Sequence, residues 1–156
     1  YALHYNTTNN NSAFGYKALN ANTTGAFNVA VGHTALQSNT VGNYNTAVGS
    51  YSLENNTGVQ NTAVGHRALS VNTTGNNNTS VGHQALYSNT TDSNSAFGFQ
   101  SLRNNTIGTN NSAFGKDALK YNTIGISNSG FGYRSLFNNT RISPVAFLTP
   151  LLLDLA

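Results

Sequence analysis

The chain reads as all-β: a β-solenoid, or parallel β-roll, of about nine 17-residue coils. Three observations carry that reading: an internal period, a glycine fixed at one phase of it, and an Asn-Thr pair fixed at another. A version of Asn-Thr/Ser-Ala-Val/Phe-Gly-x-x-Ala/Ser-Leu-x-x-Asn-Thr begins at Asn11, Asn28, Asn45, Asn61, Asn78, Asn94, Asn111 and Asn128, at spacings of 17 or 16 residues. A constant period of this length marks stacked units, each of which buries its apolar face only against its neighbours. A ninth, truncated unit is visible in Tyr1-Ala2-Leu3-His4-Tyr5-Asn6-Thr7.

Each element follows from its column, with the leading Asn as position one. If coils stack about 4.8 Å apart, the leading asparagines fall one above another and form an amide ladder. The fourth position is Phe14, Val31, Val48, Val64, Val81, Phe97, Phe114 and Phe131. Residues that are always β-branched or aromatic fit a pleated, buried strand, so this column is expected to form one core ladder. The fifth is always Gly (Gly15, Gly32, Gly49, Gly65, Gly82, Gly98, Gly115, Gly132), which in a β pattern signals positive φ or close backbone approach and hence a corner. The ninth is always Leu (Leu19, Leu36, Leu53, Leu69, Leu86, Leu102, Leu119, Leu136) and is expected, on a second short strand, to form the other core ladder.

A second turn follows at Asn22, Asn39, Asn56, Asn72, Asn89, Asn105, Asn122 and Asn139, each followed by Thr and usually by Gly two residues later. Asn and Gly tolerate the conformations turns require. The one-residue deletions at Asn56-Thr57-Gly58 and Thr91-Asp92-Ser93 fall here, as expected of a surface loop. The third and eighth positions are small in every unit, directly beside the expected core ladders. Alternation along a strand then turns them away from the core, either toward further copies of the chain or into tight corners.

Organisation follows: residues 1–140 are the repeat array, and 141–156 are a non-repeat segment that either caps the open end or links subunits. A chain that starts in mid-repeat without Met reads as a mature product or fragment. The apolar stretch from Val145 to Leu155 is interrupted by Pro150 and Asp154 and is too short for a membrane helix.

Composition narrows function. Only 7% of residues are charged, and the seven cations, Lys17, Arg67, Arg103, Lys116, Lys120, Arg134 and Arg141, make no run in the sequence; a nucleic-acid surface needs them clustered. There is no cysteine, which closes disulfide and thiolate-metal chemistry. The acids Glu54, Asp92, Asp117 and Asp154 lie in separate segments, so no acid–base pair or nucleophile–base–orienter set is expected and no cofactor is implied. His33, His66 and His83 share the sixth position, with His66 and His83 in adjacent coils, a weak metal-ligand candidate in a column that elsewhere holds Tyr, Ser, Phe and Lys. Asn-x-Ser/Thr sequons at Asn22, Asn72, Asn89 and Asn104 read as by-products of the Asn-Thr turn. A threonine-rich ice- or carbohydrate-binding face is disfavoured because no regular Thr-x-Thr file appears.

The Asn-Thr-Ala-Val-Gly-x-x-Ala phrase, over residues 1 to about 140, resembles the YadA-like head repeats of trimeric autotransporter adhesins and the repeats of bacterial and phage tail-fibre proteins. The resemblance implies a left-handed roll, three chains side by side, the residue before Gly pointing inward, and an extracellular head or stalk. The 17-residue unit is longer than is usual for the adhesins, and the fixed Leu and Asn-Thr turn stand outside their phrase. The expectation is a structural, non-enzymatic repeat segment of an extracellular fibre or surface appendage, at a cell surface or on a virion, that self-associates as a trimer or head-to-tail filament. The alternative is an adhesin head binding matrix proteins, glycans or other surface ligands through its variable positions.

Overall fold

The computed structural model describes residues 1–140 and the strand Ala146–Phe147. Eight three-residue strands recur once per unit: β1 (Ser12–Phe14), β2 (Val29–Val31), β3 (Thr46–Val48), β4 (Thr62–Val64), β5 (Thr79–Val81), β6 (Ser95–Phe97), β7 (Ser112–Phe114) and β8 (Ser129–Phe131). With β9 (Ala146–Phe147) they make one parallel sheet in sequence order. Like positions lie opposite one another, as Ala13 does Ala30, and the 16-residue steps keep that register, with Ala47 opposite Ala63 and Ser80 opposite Ala96. The fold is therefore a parallel β-solenoid with no helix among the described residues.

The coil count is smaller than about nine. Eight strand-bearing units make seven steps, and the truncated first unit adds only turns, joined to the next coil by Leu3 N–H to the Ala18 carbonyl (3.0 Å) and Thr7 N–H to the Thr23 carbonyl (3.1 Å). The division at residue 140 and the cap or linker role of 141–156 fall outside the described residues, apart from β9, which pairs with β8.

The expected second strand is absent. Its place is taken by chained turns, in which Ala18 N–H donates to the Gly15 carbonyl and Asn20 N–H to the Lys17 carbonyl, both at 3.3 Å. The third residues of these turns, Lys17 and Leu19, each have φ 52°, the sign a type II turn demands at that position. Every Leu of the ninth column repeats this, with φ between 48° and 52°. Left-handed backbone costs a non-glycine residue roughly 1–2 kcal/mol, and full burial of a leucine side chain offsets that with about 1.5–3 kcal/mol. Leu19, Leu36, Leu53, Leu69, Leu86, Leu102 and Leu119 are fully buried.

The other core ladder is reversed. Small residues of the third and eighth columns face the interior: Ala30, Ala47, Ala63, Ala96 and Ala113, together with Ala18, Ala35, Ala68, Ala85 and Ala118, are 0% exposed. Phe14, Val31, Val48, Val64, Phe97, Phe114 and Phe131 are exposed, and Val81 is half-buried. A flattened coil, with a strand on one side and chained turns on the other, has room for one Leu between two alanines but not for a facing Val or Phe. Strand period two then sends positions two and four outward together. β-Branched and aromatic residues favour the pleated backbone on either face, which is why their recurrence did not reveal their direction. The small columns are thus interior packing, not an interface.

The corner glycines behave as expected. Gly15 and Gly32 have φ 131° and 138°, and a Cβ on Gly32 would lie 2.6 Å from the Gly49 carbonyl oxygen of the next coil.

Two buried asparagine ladders stitch the coils. At position one, the Asn28 side-chain oxygen accepts Asn45 N–H (2.9 Å) while its amide donates to the Gly42 carbonyl (2.8 Å), and each later interval repeats the backbone N–H bond up to Asn128 N–H on Asn111 (2.9 Å). At position twelve, amide bonds amide: Asn39 to Asn22 at 2.9 Å and Asn72 to Asn56 at 2.6 Å. This second ladder breaks twice. Asn56 and Asn89 open the shortened turns, and their amides bond Gly58 (2.9 Å) and Thr91 (2.7 Å) two residues on, leaving the buried side-chain oxygens of Asn39 and Asn72 without a partner.

Candidate functional site

Three surfaces emerge. The first is the outer face of the sheet, where the fourth-column side chains share the surface with Ser12, Val29, Thr46, Thr62, Thr79, Ser95, Ser112 and Ser129 of the second column. Neither column contains a charge. Phe97, Phe114 and Phe131 stack with centroids 4.8 and 4.9 Å apart and planes within 6°.

The second is a file of rings along the sixth column, beyond the glycine corner. It runs from Tyr16 to His33 (5.0 Å), Tyr51 (5.3 Å), His66 (5.8 Å), His83 (5.2 Å) and Phe99 (5.2 Å). Tyr51, from position seven, fills the gap left by Ser50. The structure therefore brings His66 and His83 together, but no group of three or more His, Cys, Asp or Glu able to hold a metal occurs among the described residues. Desolvation, then His83, then Arg67 lower the His66 pKa below its ordinary value. The neutral ring is thereby favoured.

The third surface went unread in the sequence. Residues 1–98 balance Lys17 and Arg67 against Glu54 and Asp92, whereas residues 99–140 set Arg103, Lys116, Lys120 and Arg134 against Asp117 alone. Stacking makes these cations contiguous. The Lys116 ammonium lies between the Phe99 and Tyr133 rings (5.7 and 5.8 Å), continuing the ring file with a charge. Arg134 covers Phe137 at 4.5 Å, Lys120 reaches the same ring at 5.8 Å, and Arg103, one coil below Lys120, lies over Tyr87 at 5.4 Å. Counting charge per unit instead of along the chain would have exposed the cluster.

The carboxylates stay apart. Glu54 accepts a 3.4 Å bond from Ser70, Asp92 accepts Asn76 N–H at 2.7 Å, and Asp117 pairs with Lys120 at 2.9 Å; Asp154 lies outside the described residues. In the second turn the exposed hydroxyls of Thr23, Thr57, Thr90 and Thr106 donate to carbonyls of the next coil at 2.9 to 3.1 Å. The sequon asparagines Asn22, Asn72 and Asn89 are fully buried in the position-twelve ladder, so in the folded chain their amides are closed to a glycan; Asn104 is half-buried.

Compared with known proteins, the chain matches no family model, no curated protein and no solved structure.

Proposed function

We propose that this chain is a structural, non-enzymatic segment of an extracellular fibre or surface appendage, in which copies associate side by side through the charge-free Val/Phe stripe. The stripe is the observation that carries the reading. A continuous exposed apolar surface on a β-sheet marks a place meant to be covered. A second copy of the chain is its natural cover because parallel copies share one coil spacing, so each Val or Phe meets an equivalent residue along the whole rod. Side chains about a third exposed, such as Val31 at 38%, gain on the order of 0.5–1 kcal/mol each when covered. Over eight units that is about 4–8 kcal/mol per chain, comparable with the roughly 4–15 kcal/mol lost on association. Both partners must therefore contribute area, which favours long, aligned contacts over point contacts. Three copies is the number the resemblance implies.

The test is particle mass in solution, by sedimentation or native mass spectrometry, for the chain and for Val48→Lys/Val64→Lys. Multimers that become single chains with an unchanged circular dichroism spectrum support the reading. A monomer at all concentrations, or multimers indifferent to the substitutions, refutes it. The second reading, an adhesin head, is favoured by the exposed rings and cations of the variable columns.

A further inference from the structure

We infer that the last three repeat units carry a docking site for an acidic polysaccharide, a chain of sugars bearing carboxylate or sulfate groups. The inference deepens the adhesin reading and is independent of self-association. It starts from charge placement: the described chain's whole excess of positive charge sits in residues 99–140, where the only carboxylate, Asp117, is occupied by Lys120 at 2.9 Å. Like charges so gathered raise the local concentration of an anionic chain and repel one another in its absence.

The cations are also held in place. Lys116 is flanked by Phe99 and Tyr133, Arg134 lies 4.5 Å from the Phe137 ring, and Arg103 is anchored by its Nε to the Gln84 side-chain oxygen at 3.1 Å. Ring contacts of this kind both attract the cation and restrict its stem, which lowers the ordering cost when an anion arrives. Three successive coils, about 4.8 Å apart, each carry a cation: Arg103 in the first, Lys120 above it in the same tenth column together with Lys116 of the sixth, and Arg134 of the seventh in the third, where it shares the Phe137 ring with Lys120. A pyranose in an extended chain is of similar length, so anionic groups repeated along a polysaccharide meet cations repeated along the rod.

The rings argue against single-stranded nucleic acid. Base stacking needs a free ring face, yet His83 and Phe99 lie face to face with planes 9° apart, and Lys116 occupies the next position in the file. The rings serve the cations and offer no platform to a base.

The experiment is titration of the intact chain with dextran sulfate, polygalacturonate, neutral dextran and oligo(dT), at low and at physiological salt. Lys116→Gln/Arg134→Gln is compared with Lys17→Gln/Arg67→Gln, which removes the same charge from the first four units; the variants' fold and particle mass are measured alongside. The expected result is binding of the two acidic polysaccharides but not neutral dextran, weakened about tenfold or more by Lys116→Gln/Arg134→Gln and by less than about twofold by Lys17→Gln/Arg67→Gln. Equal losses in both variants, tighter binding of oligo(dT), or no binding at physiological salt would overturn the inference. None of these outcomes depends on whether the rods associate, which the mass measurement reads separately.

Discussion

A leading asparagine joins two coils with both ends of its amide. Asn45 accepts Asn61 N–H at 3.0 Å and donates to the Gly58 carbonyl at 2.9 Å, and it is fully buried. If the amide is removed, the Asn61 N–H is left buried without a partner while the Gly58 carbonyl keeps its bond from the Asn56 amide (2.9 Å), so the cost is that of one stranded donor added to the lost bonds. Asn45→Ala is expected to destabilise the chain by about 3 kcal/mol, read as a lower midpoint in urea at unchanged slope. A loss under about 0.5 kcal/mol would mean that the amide ladder is not a principal fastening. The importance of these asparagines was legible in their recurrence. The left-handed backbone of Leu19 and its equivalents was not, because a leucine column announces burial and is silent about φ.

At the scale of a turn, the single-residue deletions have a definite effect. The 17-residue units place Asn22 to bond Gly25 three residues on, and its oxygen then meets the next amide, whereas the 16-residue units bond two residues on and leave the preceding oxygen stranded. In the shortened turn at Asn89, Thr91 stands where the glycine stands elsewhere, its hydroxyl bonding the Gly108 carbonyl at 2.6 Å. Inserting a threonine between Thr57 and Gly58 restores the Asn-Thr-Thr-Gly of residues 22–25 and should let Asn56 reach the Asn39 oxygen. The expected gain is about 1 kcal/mol, read by thermal melting; a fall in melting temperature would show that the short turn is already the better fit. The deletions themselves were plain in the sequence. Their consequence required knowing which way the amides point.

For the molecule as a whole, the stacked-coil architecture was legible because a period survives any uncertainty about local structure. The direction of the fourth column was not, since alternation fixes only that neighbours oppose each other. Ala30 or Val31 could have faced inward, and the narrow space beside Leu36 decided for Ala30. Every interval of the stack uses the same register, so stability should scale with coil number. Removing residues 28–44, one complete unit, joins Phe27 to Asn45 in phase. The shortened chain is expected to keep its circular dichroism spectrum and melt a few degrees lower. Complete loss of folded signal would show that the coils are not equivalent.

The same stitching bears on endurance. A protease must draw an extended stretch of backbone into its cleft, and in this chain the turns as well as the strands are tied to the coil above, down to Thr23 N–H on the Thr40 carbonyl at 2.9 Å. No long slack segment separates one tie from the next within the array. Digestion must therefore wait for coils to peel away, so cleavage within the array is set by how often its coils open and not by how much of its surface is exposed.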